Sequence, residues 1–153
     1  MTLDELYASL PKIECRQLCG ATACGPIQFS PAEEARITRY LGWKVNPKTT
    51  ADNSCPMLKH GLCRIYPVRP LICRLWGCVP MLRCPHGCEP DRWLTNDEGF
   101  ELLIYLGDLR TMRWVGWGRQ SSVEGAIAFA KRNGVTPSML DKARSKLLVE
   151  WDP

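Results

Sequence analysis

The segment SCPMLKHGLCRIYPVRPLICRLWGC, Ser54 to Cys78, carries four cysteines, three prolines and three arginines. Thiolates bind soft and borderline metals and iron-sulfur clusters, and they also exchange disulfides or attack electrophiles. The spacing decides among these. Pro56, Pro67 and Pro70 remove backbone donors and fix φ, while Cys55, Cys63, Cys73 and Cys78 recur at neither the helical nor the strand period. Something other than regular secondary structure must hold this run together. A metal or cluster is the simplest agent, with Cys15, Cys19 and Cys24 upstream and Cys84 and Cys88 downstream as further ligands.

The nine cysteines fall in three groups, 15/19/24, 55/63/73/78 and 84/88. The N-terminus MTLDELYASLPKIEC has acids at Asp4, Glu5 and Glu14 and no apolar run that would serve as a signal-peptide core or membrane span, so a cytoplasmic protein is expected. Structural disulfides are rare in a reducing compartment, and an odd count leaves one thiol over. Metal binding is therefore expected over a disulfide framework. No C-x2-C pair occurs, which argues against zinc ribbons and fingers. Cys55-Pro56 and Cys84-Pro85 match the Cys-Pro that closes some iron-sulfur motifs.

Between Cys55 and Arg92, Lys59, Arg64, Arg69, Arg74, Arg83 and Arg92 face only Glu89 and Asp91 in sequence. Nearby cations lower thiol pKa and offset the negative charge of a thiolate centre. A nucleic-acid surface is the competing reading, which the net charge of +4 and the interleaved Trp76 and Trp93 permit. His86, within Cys84-Pro85-His86-Gly87-Cys88, is either a zinc ligand or a surface turn residue, and His60 before Gly61 is a weaker ligand candidate. Trp114, Trp117, Arg110, Arg113 and Arg119 would suit a partner surface, although tryptophans at a helix end commonly complete a core. Arg69 before Pro70 suits a turn donor to backbone carbonyls. Glu33 and Glu34 are accounted for by capping and the helix dipole. No phosphate-cradling glycine loop, nucleophile elbow or Ser/His/Asp set is present.

The elements that must position these groups read as helices. Thr2 to Leu10 is amphipathic, with Leu3, Leu6, Tyr7 and Leu10 on one face and Pro11 as its stop. Ser30-Pro31-Ala32-Glu33 is a capping box opening a helix that carries Ile37, Tyr40 and Leu41 inward up to Gly42. Residues 43 to 93 read as irregular and poor in periodic apolar positions, so the metal would have to serve as their core. Thr95-Asn96-Asp97-Glu98 opens a helix expected to run through Leu109 and Met112 toward Trp114, a pattern too long for the alternative hairpin of RWLT with FELLIYL. Ser121-Ser122-Val123-Glu124 starts a helix ending at Asn133-Gly134, and Thr136-Pro137 starts the last, with Leu140, Ala143, Leu147 and Trp151 on one face. The 153 residues fit one domain, mainly α: a small helical domain wrapped around an irregular cysteine-rich metal-binding core at about 15–92, with C-terminal helices at about 96–152.

The order C-x3-C-x4-C, an S-P-x-E helix start, C-P-x-L, then G-L-C-R-I-Y-P-V-R-P-x-x-C-R resembles the zinc- or iron-chelating cysteine-cluster family often called YkgJ-like. The resemblance covers about residues 15 to 78, and its most specific part runs from Cys63-Arg64-Ile65-Tyr66 through Arg69-Pro70 to Cys73-Arg74. It implies a metal site drawn from Cys15, Cys19, Cys24, Cys55, Cys63, Cys73 and Cys78. Members commonly carry adjacent cysteines near the position of Cys24, where Ala23 and Gly25 stand here. Cys84 or Cys88 would replace the absent thiol, or the site would use fewer ligands. Two activities follow as expectations. One is a binding or regulatory module whose iron-sulfur or zinc scaffold presents surfaces to a protein or nucleic-acid partner. The other is an iron-sulfur redox or protein-modifying enzyme, since a related cluster occurs in flagellin lysine methylases. No general base or second cofactor site is nameable, so the module is the preferred reading.

Overall fold

Three helices begin with the same reciprocal device. Thr2, Ser30 and Thr95 each accept a hydrogen bond at the side-chain oxygen from the N–H three residues on, while Glu5, Glu33 and Glu98 reach back to the cap N–H at 2.6, 2.7 and 2.7 Å. Each such cap is worth about 1 kcal/mol. The computed structural model describes residues 2–18, 27–45, 54–106, 113–115 and 123–148. Within them, α1 (Leu3–Ser9), α2 (Pro31–Leu41), the single-turn α3 (Leu71–Leu75), α4 (Asn96–Leu106), α5 (Val123–Arg132) and α6 (Pro137–Leu148) account for most of the order. Short strands complete it: β1 (Ile27–Phe29) pairs antiparallel with β4 (Arg113–Val115), and β2 (Leu58–Lys59) with β3 (Leu62–Cys63). Among the described residues the chain is thus mainly α with two small two-stranded sheets. No helix among the described residues is long and apolar enough to cross a membrane.

Burial divides into three packed groups. Leu6 and Leu10 of α1 meet Leu71 and Leu75 of α3, together with Val79, Leu82, Leu94 and Leu103. Ile27, Phe29 and Ile37 meet Val45, Cys55, Met57 and Ile65. Phe100 and Ile104 of α4 pack on Ile127, Ala130, Leu140 and Ala143 of the last two helices. Helix α4 therefore serves two groups, Leu103 facing one and Phe100 with Ile104 the other. Gly99 lets α4 approach Val79, whose Cγ1 would stand 2.7 Å from any Cβ placed there.

Several expectations change. The helix opened by Thr95 ends at Leu106 in the described residues, and Arg113–Val115 is a strand paired with Ile27–Phe29 rather than a helical continuation. The expected Leu109 and Met112 positions, Arg110, Trp117, Arg119, the Ser121-Ser122 start and Trp151 lie outside the described residues. Tyr40, in the last turn of α2, is exposed rather than inward, while Ile37 is buried and Leu41 packs at the margin of its group. Residues 43–93 are neither irregular throughout nor without apolar burial: they hold β2, β3, α3 and two 3-10 turns, and bury Met57, Ile65, Leu71, Leu75, Val79 and Leu82. The burial comes from residues brought together by successive turns, which leaves no single period in the sequence. A metal is not the only core available to this segment.

Glu33 does more than cap. Its Oε2 accepts from Ser30 N–H and Oγ–H, while Oε1 accepts from the Tyr7 hydroxyl at 2.7 Å and from Leu71 N–H at 2.6 Å. One buried carboxylate thus joins α1, α2 and the first residue of α3. The Arg74 and Arg36 guanidiniums lie over the Tyr7 ring, 4.1 and 5.4 Å from its centroid, and supply cationic charge beside this anion.

Glu33→Ala would leave the half-buried Tyr7 hydroxyl and the buried Leu71 N–H without this acceptor, so we expect a loss of about 3 kcal/mol. At roughly 2–4 °C per kcal/mol for a chain of this size, the midpoint of thermal unfolding should fall by roughly 6–12 °C. Burial, then the Glu33 charge and hydrogen bond, push the Tyr7 hydroxyl above its ordinary 10.0. The unfolded chain gives up that proton first as pH rises, so the contribution is fully present below about pH 10 and is lost above it. Denaturant midpoints at about pH 8 and about pH 11 should therefore differ more in the natural chain than in Tyr7→Phe.

Candidate metal centre

The hairpin that carries Cys63 is set by its turn. His60 and Gly61 have φ of 51° and 76°, the pair of left-handed conformations that a two-residue turn between β2 and β3 requires. This accounts for His60, which is exposed at the turn. The turn pairs Leu58 with Cys63 and brings Cys55, three residues upstream, beside it. The two thiols are near enough for ionisation of Cys63 to push Cys55 up. Beyond Cys63 the chain makes a 3-10 turn over Tyr66–Val68 and enters α3 at Leu71 after Pro70.

Backbone carbonyls in this proline-rich stretch are satisfied by arginines. Arg69 Nε donates to Tyr66 O at 3.1 Å, Arg74 Nε to Arg69 O at 2.8 Å and Arg74 Nη2 to Pro67 O at 3.0 Å. Arg69 is the turn donor expected of it. Its guanidinium also lies 3.8 Å from the Tyr66 ring centroid and favours the thiolate forms of both Cys63 and Cys78.

Cys15 Sγ accepts from the N–H of Gln17 at 3.4 Å. The N–H groups of Met57 and Leu58 favour the thiolate form of Cys55, and that of Ile65 the thiolate form of Cys63. The Tyr66 hydroxyl hydrogen-bonds Cys15 and also feels the charge of Cys63, so Cys15 is brought to the side of the hairpin thiols. Against this, burial pushes the Cys55, Cys63 and Cys78 thiols up, with the Asp91 charge adding to the effect at Cys78. Buried sulfurs of this kind stay protonated until a cation replaces the proton.

Cys84 and Cys88 form a second group. They hydrogen-bond one another, and Arg16 draws the Cys88 thiol down through its backbone N–H and then its guanidinium, which also donates to His86 O. Gly77 makes room here: its φ is 84°, and a Cβ would sit 2.4 Å from Ile13 Cδ1 and 3.7 Å from Cys84 Cβ. His86 Nε2 is buried without a hydrogen-bond partner among the described residues, so this nitrogen is not that of a solvated turn histidine.

The segment Pro11–Arg16 lies between the two groups. It is held along residues 90–92 by the Ile13 and Pro90 bridge, by Asp91 N–H to Lys12 O at 2.9 Å and by Arg92 to Ser9 O at 2.9 Å. Cys78 Sγ lies 3.9 Å from Pro11 O. Half-buried Cys73 packs with Val68 and Ile72 on the hairpin side.

Among the described residues no three of Cys, His, Asp and Glu converge closely enough to hold one ion. Cys19 and Cys24, expected as ligands, lie outside the described residues. The donors present suit a thiolate centre in their chemistry, with N–H groups and Arg69 directed at the sulfurs, but the described residues alone do not close one. Two participants went unassigned in the sequence, Arg16 and Tyr66. Arg16 is the neighbour of Cys15 and Tyr66 stands inside the C-R-I-Y-P run, so proximity to a cysteine was the available signal. No family model, curated protein or solved structure matches the chain.

Gly77→Ala tests the linkage between the two thiol groups. The left-handed backbone and the Ile13 contact should make the substitution cost about 1–3 kcal/mol, read from denaturant unfolding, and should raise the alkylation rate of Cys84 by displacing the 13–16 segment.

Proposed function

We propose that this protein is a thiolate metal-binding module, resembling the YkgJ-like cysteine-cluster family, whose centre orders surfaces for a macromolecular partner. The observation that carries the reading is the gathering of Cys55 and Cys63 on one hairpin with Cys15 bonded to Tyr66 beside it, each sulfur with a backbone N–H two residues on that favours its negative charge. Donors of this kind tune the charge and potential of a bound metal thiolate. Arg69 between Cys63 and Cys78 supports the same reading by offsetting charge.

Cys15, Cys55 and Cys63 would hold the group, with Cys19, Cys24, Cys73 and Cys78 as the thiols from which the remaining ligands come. Cys84 and Cys88 would contribute either as replacement for the absent thiol beside Cys24 or as a second ligand pair. We favour an iron-sulfur cluster over zinc, because nine cysteines without a C-x2-C pair exceed and mismatch the needs of one tetrahedral zinc. Bound there, the cluster would supply a redox-active or rigid anionic centre. The protein's own part is to present thiolates, to direct N–H groups and Arg69 at them, and to keep Cys55 and Cys78 from water.

Purification without oxygen, followed by iron, sulfide and zinc analysis, is the test. Brown protein with a broad band at about 400 nm is expected for the cluster, and colourless protein containing zinc would give the same scaffold another metal. Cys55→Ser with Cys63→Ser should lose at least about tenfold in metal affinity. Cys19→Ser with Cys24→Ser should do the same. Protein that keeps all its metal in both double variants would refute the centre, and a Cys84→Ser, Cys88→Ser variant with full metal content would remove that pair from it.

A further inference from the structure

The face of the β2 and β3 hairpin away from the buried thiols carries groups that the metal reading leaves unused. Trp43, just after α2, is 42% exposed, and the Arg64 guanidinium lies over its ring at 5.3 Å from the centroid. This contact joins the end of α2 to the hairpin. Tyr40, 51% exposed, precedes Trp43 by three residues at the end of α2, and Leu62 of β3, 59% exposed, precedes Arg64 by two. Exposed Arg39, Lys44 and Lys59 flank them. Residues 35–45 and 54–66 contain no Asp or Glu. Arg36, the remaining cation of these stretches, is bonded to Asp4 and is not counted.

An exposed aromatic pair among unopposed cations has a specific chemical complement. Phosphates take the lysines and arginines, and unpaired bases stack on Trp43, Tyr40 and the Arg64 plane. A duplex would hide its base faces from these rings, and an acidic peptide would use the charges but leave the aromatics idle. We propose that this face binds single-stranded nucleic acid, with Trp43 and Arg64 as the stacking platform and Arg39, Lys44 and Lys59 as the phosphate contacts. The proposal rests on the binding-module reading for its class of function, and it names the partner and the surface.

The test is fluorescence anisotropy with a labelled dodecamer of thymidine or uridine and the metal-loaded protein. Binding should weaken with salt, with a log–log slope of roughly −2 for the three phosphate contacts. Trp43→Ala should weaken it about tenfold while Trp43→Phe, which keeps a stacking face, retains most of it. Lys44→Glu with Lys59→Glu should flatten the slope by at least about 1.4, the share of two phosphate contacts. Trp93→Ala, removing the other exposed tryptophan among the described residues that an arginine, Arg83, stacks on, should leave binding unchanged. Circular dichroism melts of each variant confirm that it is folded. Wild-type affinity in folded Trp43→Ala, equal affinity for a duplex, or equal affinity for a glutamate-rich peptide that ignores Trp43→Ala would each overturn the proposal, the last in favour of an acidic protein partner. Metal analysis on the same samples separates the two readings. Trp43-dependent binding by protein that never holds metal leaves the surface standing and the metal centre refuted, while metal-loaded protein indifferent to Trp43→Ala does the reverse.

Discussion

A carboxylate taken out of water must be surrounded by donors or it destabilises the fold, and Glu33 meets that demand by recruiting three parts of the chain. Its two oxygens divide the work. Oε2 closes the capping box of α2, so the start of that helix is fixed to the end of β1. Oε1 takes the Tyr7 hydroxyl and the Leu71 N–H, so α1 and α3 are fixed to α2. Because Leu71 follows Arg69 and Pro70 directly, the same bond sets where the arginine beside Cys63 and Cys78 begins. The thiol region inherits its placement from a carboxylate that has no thiol as partner.

The arginines of the central segment divide into two kinds by what they touch. Arg69 and Arg74 are consumed by carbonyls of the Tyr66–Arg69 stretch, which prolines keep from forming a ladder. Their charge then serves the cysteines and Tyr7 on either side. Arg64 and Arg83 donate to no carbonyl in this way and rest on the exposed rings of Trp43 and Trp93. A count of basic residues mixes the two kinds, and it also hides that Arg83 is paired with Glu89 at 3.6 Å.

The helix starts were legible because a capping box is a local signal: two side chains three residues apart satisfy each other's backbone without help from elsewhere. Ser30 and Thr95 were readable for that reason. The β1 and β4 pairing was not, since three-residue strands carry no period and Ile27 meets Val115 only after the intervening chain has folded. Arg113 to Val115 therefore read as more of the helix before it. Glu33 was legible only in its local half. Nothing at Tyr7 or Leu71 announces that the second oxygen of a capping glutamate will bind them. The site shows the same division: the cysteines near the hairpin were recognisable from type and motif, while the donors that tune them, at Gln17, Met57 and Ile65, are backbone groups that any residue would provide.

The apolar groups of the fold depend on the thiols unequally. Among the described residues, the packing of α4 with α5 and α6 contains no cysteine, and the group built on Leu6, Leu71 and Leu103 contains none either. The group around Ile37 and Ile65 includes buried Cys55, with Cys63 and Cys73 packed at its margin. Ordering energy supplied by a metal would thus enter through that third group, which also holds the hairpin bearing Arg64 and Leu62. The Glu33 carboxylate already joins this group's helix, α2, to the first group through Leu71. A centre at the hairpin would therefore act on a scaffold that is otherwise anchored, since buried Met57 and the β2 and β3 pairing already hold the chain between Cys55 and Cys63.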